Sequence, residues 1–166
     1  MSQSSASDGP RLKYTVSHYR KPEHTHEPFV EWMVEEHLPL AMPVFKRHGL
    51  LGYSLFVTPA ALDEAVKQEV GKARPTWEFA ECDCYTEYTP PSPETIKNVT
   101  SDPDWHIAVK DEEDWVDITR VECAVGYSTP YLLETSEVVN MSKSKSFSVT
   151  RGRHWTRCIC YLLPVR

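Results

Sequence analysis

Glycine is scarce in this chain, with six in 166 residues, and none stands in a phosphate-cradling loop, a dinucleotide fingerprint or a GxSxG elbow. Any chemistry is therefore expected to need no nucleotide cofactor and to rest on acid–base groups. Basic charge is also lacking. A formal charge of −6 gives a phosphate backbone nothing to bind, which argues against nucleic acid as the main partner. No run reaches the ~18 to 20 apolar residues that span a bilayer, so no membrane association is expected. The opening "MSQSSASDGP" has no apolar segment of a secretory signal. Five cysteines fall as Cys82-Asp-Cys84, Cys123 and Cys158-Ile-Cys160; neither pair has the spacing of a zinc site. Free thiols, no metal and a reducing, cytoplasmic setting are the expectation.

The chain is long enough for one domain with its own core. Residues 1–10 read as a disordered leader and 11–140 as the domain. Residues 141–166 are set apart by charge: Lys143, Lys145, Arg151, Arg153, Arg157 and Arg166 give +6 with no acid, which leaves −12 for the first 140 residues. Such a break marks a segment of different role or origin, and no function is assigned to it.

Period-two stretches predict strands over 11–19, 50–57, 76–89 and 119–129. Of these, "TWEFAECDCYTEYT" has the strongest signal. Phe29, Met33, His37, Leu40 and Val44 recur at helical spacing and predict a helix from about Glu27, with Pro28 in its first turn. Pro39 and Pro43 should bend or break that helix, and His48-Gly49 should end it. Residues 60–72 predict a short helical insertion, and 92–117 two helical pieces around Asp102-Pro103. The order β-α-β-(α)-β-α-β predicts an α+β, ferredoxin-like βαββαβ fold, with an antiparallel sheet and helices on one face. A second copy would cover the other face most simply, so a homodimer is expected.

His37 points where the apolar stripe points, and His18 shares a strand face with Tyr14. If strand and helix converge, the two histidines with Tyr14 and Tyr53 line one cavity; buried core histidines are the plainer alternative. Trp32, Met33 and Trp105 are further candidates for that wall. His106 is placed early in a helix and could reach the pocket. Asp83 is a carboxylate in mid-strand that must be paired, solvated or protonated; an ion pair is the plainer account. His24 and His26 read as solvated loop residues, and His48 as a helix-end residue favoured by the dipole.

Arg20-Lys21-Pro22, His37-Leu38-Pro39-Leu40 and Gly52-Tyr53, in this order and spacing, resemble the EthD branch of the dimeric α/β-barrel superfamily. The resemblance runs on through "ECDCYTEY", "SDPDW", "DWVDITR" and "VGYSTPYLLETSEVVN" and covers roughly residues 12–140. Within the branch the chain is most similar to small fungal polyketide-cluster decarboxylases that act on atrochrysone carboxylic acid. That resemblance implies a dimer whose sheets pack face to face, a pocket between sheet and helices, and a polycyclic phenolic ligand. It implies no metal, flavin or nicotinamide, and His37 as the catalytic residue. His18, His106 and Asp83 are added from position and chemistry. A carboxy-lyase releasing CO2 is thus the expectation, with His37 protonating carbon. A cyclase, dehydratase or anthrone oxygenase in the same pocket is the enzymatic alternative, and a non-catalytic binder of hydrophobic aromatics the other. The segment beyond Asn140 has no counterpart in the resemblance; a misread gene end or a membrane- or partner-binding extension would each account for it.

Overall fold

The computed structural model describes residues 9–141; the tail from 142 onward, including Cys158 and Cys160, and residues 1–8 of the leader lie outside them. Four strands, β1 (Arg11–His18), β2 (Gly52–Val57), β3 (Cys84–Thr89) and β4 (Glu122–Ser128), form one sheet in the order β2-β3-β1-β4. Every neighbouring pair is antiparallel. With helices between the strands this is the expected ferredoxin-like α+β fold. Tyr14 of β1 stands opposite Tyr88 of β3, which stands opposite Tyr53 of β2. Two residues along, Val16, Thr86 and Leu55 repeat the row, and then His18, Cys84 and Val57. Because side chains alternate across a strand, these three rows share one sheet face.

The helices bury that face. α1 (His26–Trp32) and α2 (Leu38–Arg47) are joined by a π-helical turn, Met33–His37. Phe29, Trp32 and Met33 pack with Cys84 and Val116; Ala41, Val44 and Phe45 pack with Val99 and Ala108. Leu12, Tyr14 and Ile96 close the third cluster. After the insertion helix α3 (Ala60–Ala73), the second helical region is α4 (Pro93–Thr100), α5 (Pro103–Ala108) and α6 (Glu112–Trp115). It breaks into three pieces rather than the two predicted. α3 has no buried residue.

The prolines do not break the helix. Leu38 N–H reaches back five residues to the Met33 carbonyl, and this wide turn accommodates the ring of Pro39, which would crowd the carbonyl four residues back. Pro43 then lies inside α2, which continues to Arg47. The extra residue in the turn also rotates the apolar stripe. Phe29, Met33, His37, Ala41 and Phe45 are buried, whereas Leu40 is exposed. The predicted stop is present as a Schellman motif: Gly49 has φ +72°, Gly49 N–H bonds the Lys46 carbonyl, and Leu50 N–H bonds the Phe45 carbonyl.

The strongest strand signal is only half used. β3 begins at Cys84, and Trp77 is exposed. Its partner β1 ends at His18, opposite Cys84, so the residues before Asp83 have no strand to pair with on that side. β4 is exposed along its whole length, Cys123 included, because the helices cover β1, β2 and β3 and stop short of it. Of the described cysteines, all free, Cys82 and Cys84 are buried and Cys123 is exposed.

Candidate functional site

Between the helices and the tyrosine row lies a small apolar cleft of about 30 Å³, walled by Tyr14 and Tyr88 from the sheet, Phe45 from α2, Val99 from α4 and Trp105 from α5. A cleft of that size holds about one water. Two of the predicted wall residues, Tyr14 and Trp105, are there. Tyr53 stands one strand over, stacked on Phe45 at 5.4 Å and edge-on to Tyr88 at 5.2 Å, with its hydroxyl buried and unpartnered. Burial pushes the phenols of Tyr53 and Tyr88 above their ordinary range, so both remain protonated donors.

His37 does not line the cleft directly. It is buried behind Trp105, whose ring it meets edge-on at 6.1 Å, and lies 5.7 Å from Trp32. Its Nδ1 is 3.1 Å from the Ala108 carbonyl. A carbonyl can only accept, so Nδ1 carries the proton and Nε2 keeps its lone pair. Nε2 has no hydrogen-bond partner among the described residues. Burial lowers the affinity of His37 for a proton more than the Ala108 bond raises it. At neutral pH the ring therefore rests neutral. The expectation of a ring that holds a proton at pH 7 does not fit this direction.

His18 lies near enough to feel the charge of His37. Its Nε2 is 2.9 Å from Thr86 Oγ1, and its Nδ1 is buried without a partner. Burial, and then the field of His37, bring its pKa down to about 4. Trp32 stacks on Trp115 at 5.5 Å, and Trp115 stacks on His24 at 4.1 Å. Met33 sits in the Phe29 cluster, away from the cleft.

Two catalytic candidates are not at this site. His106 is exposed on the outer side of α5, because the inward positions of that helix go to Trp105 and Ala108. Asp83 sits at the far end of the sheet as the centre of an ion cluster. It accepts from the Arg20 backbone N–H at 2.8 Å, pairs with the Arg20 guanidinium, and lies 3.1 Å from His26 Nδ1. The plainer reading of Asp83 fits this geometry, and the solvated reading of His26 does not. His24 is likewise held, 2.9 Å from the Asp114 carbonyl. His48 does more than sit on the helix dipole. With Arg47 it grips Asp102, each at 2.7 Å, and ties the end of α2 to the start of α5. That contact brings the Asp102 carboxyl down to about 2.

One inward group escaped the sequence reading. Glu112 opens α6, half-buried, and its carboxyl has no hydrogen bond or ion pair among the described residues. Burial and the neighbouring Glu113 push its carboxyl up to about 7, and Tyr88 feels its charge. In the sequence it is hidden within the acidic run Asp111–Asp114. Among the described residues no three His, Cys, Asp or Glu side chains gather to hold a metal ion, and no helix is long and apolar enough to cross a membrane.

An antiparallel ferredoxin-like sheet with a histidine on the facing helix defines the class, and the match to known families gives it a name. The EthD domain matches residues 21–119, and this chain belongs to the EthD domain family. It is similar to "Dehydratase iacD" of Pestalotiopsis fici, at 31% identity, covering 80% of this chain and 95% of that protein. "Dehydratase ustZ" of Ustilaginoidea virens is 24% identical over 76% of this chain and 90% of its own length. "Putative oxygenase" of Aspergillus terreus is 26% identical over 81% and 84%. These names overturn the expected carboxy-lyase: none of the three relatives is a decarboxylase, and two are lyases that remove water rather than CO2.

Proposed function

We propose that this chain is a dehydratase of small aromatic or pre-aromatic polyketide substrates, acting on a β-hydroxy carbonyl group with His37 as the base. The observation that carries this reading is the state of His37. Its Nδ1–H is fixed on a backbone carbonyl, its Nε2 is free, and burial keeps it neutral. Dehydration of this kind begins when a base removes the proton next to a carbonyl, and a neutral imidazole lone pair does that directly. The two relatives named as dehydratases support the same chemistry. The rings of Tyr14, Tyr88, Phe45 and Trp105 offer stacking surface to a flat ligand.

At about 30 Å³ the cleft is smaller than any polycycle, so binding one requires its walls, Trp105 among them, to move apart. That movement would open the cleft toward His37, which the Trp105 ring now covers. Incubating the purified protein with a β-hydroxy ketone polyketide and following product mass tests the proposal. Loss of one water supports it; oxygen uptake favours the oxygenase suggested by the third relative, and binding without turnover overturns catalysis altogether. The sheet face away from the helices carries the exposed Phe56, stacked on Tyr85 at 5.8 Å. A second copy covering that face would make the chain a homodimer, and a monodisperse monomer by light scattering at micromolar concentration would refute this.

A further inference from the structure

The last part of the described chain has a definite shape and no interior. Among the described residues, none in 122–141 is buried. β4 pairs with β1 so that Val125 stands opposite Tyr14 and Tyr127 opposite Leu12, which puts all four on the helix-covered face of the sheet. Leu12 and Tyr14 are buried with Ile96 of α4, whereas Val125 and Tyr127 are exposed. An apolar strip is thus left along β4, directly beside the Tyr14 wall of the cleft.

Residues 130–140 then fold into a hairpin. Leu132 bridges Val138, Leu133 N–H bonds the Glu137 carbonyl at 2.9 Å, Val139 N–H bonds the Tyr131 carbonyl at 3.0 Å, and the Asn140 side chain donates to the Pro130 carbonyl at 2.9 Å. Ser136 and Asn140 take left-handed backbone, at φ +65° and +59°, a conformation that costs a residue with a side chain. Yet Tyr131, Leu132, Val138 and Met141 are 55%, 68%, 64% and 71% exposed, and none of them joins a core cluster of the described residues. A two-stranded hairpin with nothing to pack on is marginal in water. Apolar side chains held outward on a fixed turn mark an interaction surface.

We infer that a second copy of this chain occupies it, the hairpin of each copy covering the β4 strip of the other. One chain carries both halves, an apolar arm and an uncovered apolar strip, in adjoining segments. The hairpin does not cover the strip of its own chain, because Val125 and Tyr127 stay exposed with the hairpin in place. A two-fold axis that exchanges the arms buries both halves twice and closes the assembly. Taking ~200 Å² for a large side chain, arm and strip offer ~600 Å² per copy and ~1,200 Å² per pair, the size at which specific interfaces begin. The exchange gives the homodimer proposed above a contact apart from the face that carries Phe56. It also sets the partner's hairpin against the Tyr14 side of the cleft.

The test places opposite charges on the two halves in the full chain, with assembly read by analytical ultracentrifugation. Val125→Lys alters the strip and Leu132→Glu the arm. Each alone should raise the dimer dissociation constant by ~10²-fold or more. Mixed in equal amounts, they should dimerise within about tenfold of wild type. In the mixed pair one arm meets one strip unaltered, and in the other contact the introduced carboxylate meets the introduced ammonium. Variants that dimerise as wild type does, or a mixture that recovers nothing, overturn the exchange. Phe56→Glu separates the two contacts: if it alone abolishes the dimer, the exchange is wrong and the Phe56 face stands. A wild-type monomer overturns both. As a second measurement that introduces no charge, Leu132→Cys under mild oxidation should cross-link to Cys123 on the strip of the other chain, mapped by mass spectrometry. A bond to Cys123 of the same chain, or none to Cys123, also overturns the exchange.

Discussion

Two polar clusters lie along the strand pair β1–β3, and they are built on contrary plans. At one end Asp83 is saturated: Arg20 gives it a backbone N–H and a guanidinium, and His26 adds a ring nitrogen. On the helix-covered sheet face the polar atoms are left open: His37 Nε2, His18 Nδ1 and the Tyr53 hydroxyl lack protein partners among the described residues. In the Asp83 cluster only His26 Nε2, on the far side of the ring, is left so. Folding favours the first arrangement and is penalised by the second, because an unpaired buried polar group costs roughly 1 to 3 kcal/mol. Several such groups on one sheet face are therefore better explained by work done there than by stability.

The sharpest way to break this contrast is to remove one member of each cluster. His37→Gln should lower turnover by ~10²-fold or more and leave the melting temperature within a few degrees, by steady-state kinetics and calorimetry. Asp83→Ala should do the reverse. A stability loss of about 2 kcal/mol is expected, below the ~3 to 5 of a fully enclosed pair because Arg20 remains 38% exposed, with turnover preserved at a temperature where the variant is folded. Urea unfolding separates the two.

A smaller effect concerns pH, with the sign set by the direction of each shift. The pKa of His18 falls from 6.5 to about 4 on folding. The unfolded chain therefore binds the proton first, and stability is lost as pH drops from about 6.5 toward 4. Glu112 rises from 4.5 to about 7, so its contribution is lost as pH climbs through that interval. His18→Gln should flatten the acid limb and Glu112→Gln the alkaline one, measured as unfolding free energy against pH. Turnover should also fall on the acid side, where His37 gains a proton. The smallest effect is expected for His106→Ala, which belongs to neither cluster: stability within about 0.5 kcal/mol and unchanged turnover.

The limits of sequence reading follow from the same contrast. Alternation and helical spacing located all four strands, the long helix and its Gly49 stop, because those patterns record which face of each element leaves water. The patterns failed wherever a partner was needed to finish the element. Trp77 to Asp83 has every mark of a strand, yet β1 turns away after His18 and leaves it unpaired. Pro39 reads as a break, yet a π-turn absorbs it and in doing so moves Leu40 out of the core and Ala41 into it.

For the site, the sequence by itself determined part of the cast: a histidine on the buried stripe of a helix, another on the facing strand, and Tyr14 and Tyr53, all set by local periodicity; Tyr88 between them came only with the sheet register. Only the tertiary structure decided what each could do. The Ala108 carbonyl, 71 residues away in the chain, fixes the proton of His37 on Nδ1. Arg20 and His26 take Asp83 out of play, and the turn from α5 to α6 brings Glu112 inward from an acidic run that reads as surface. Proton affinity and free lone pairs depend on the dielectric and on neighbours remote in sequence, and those exist only once the chain has closed around them.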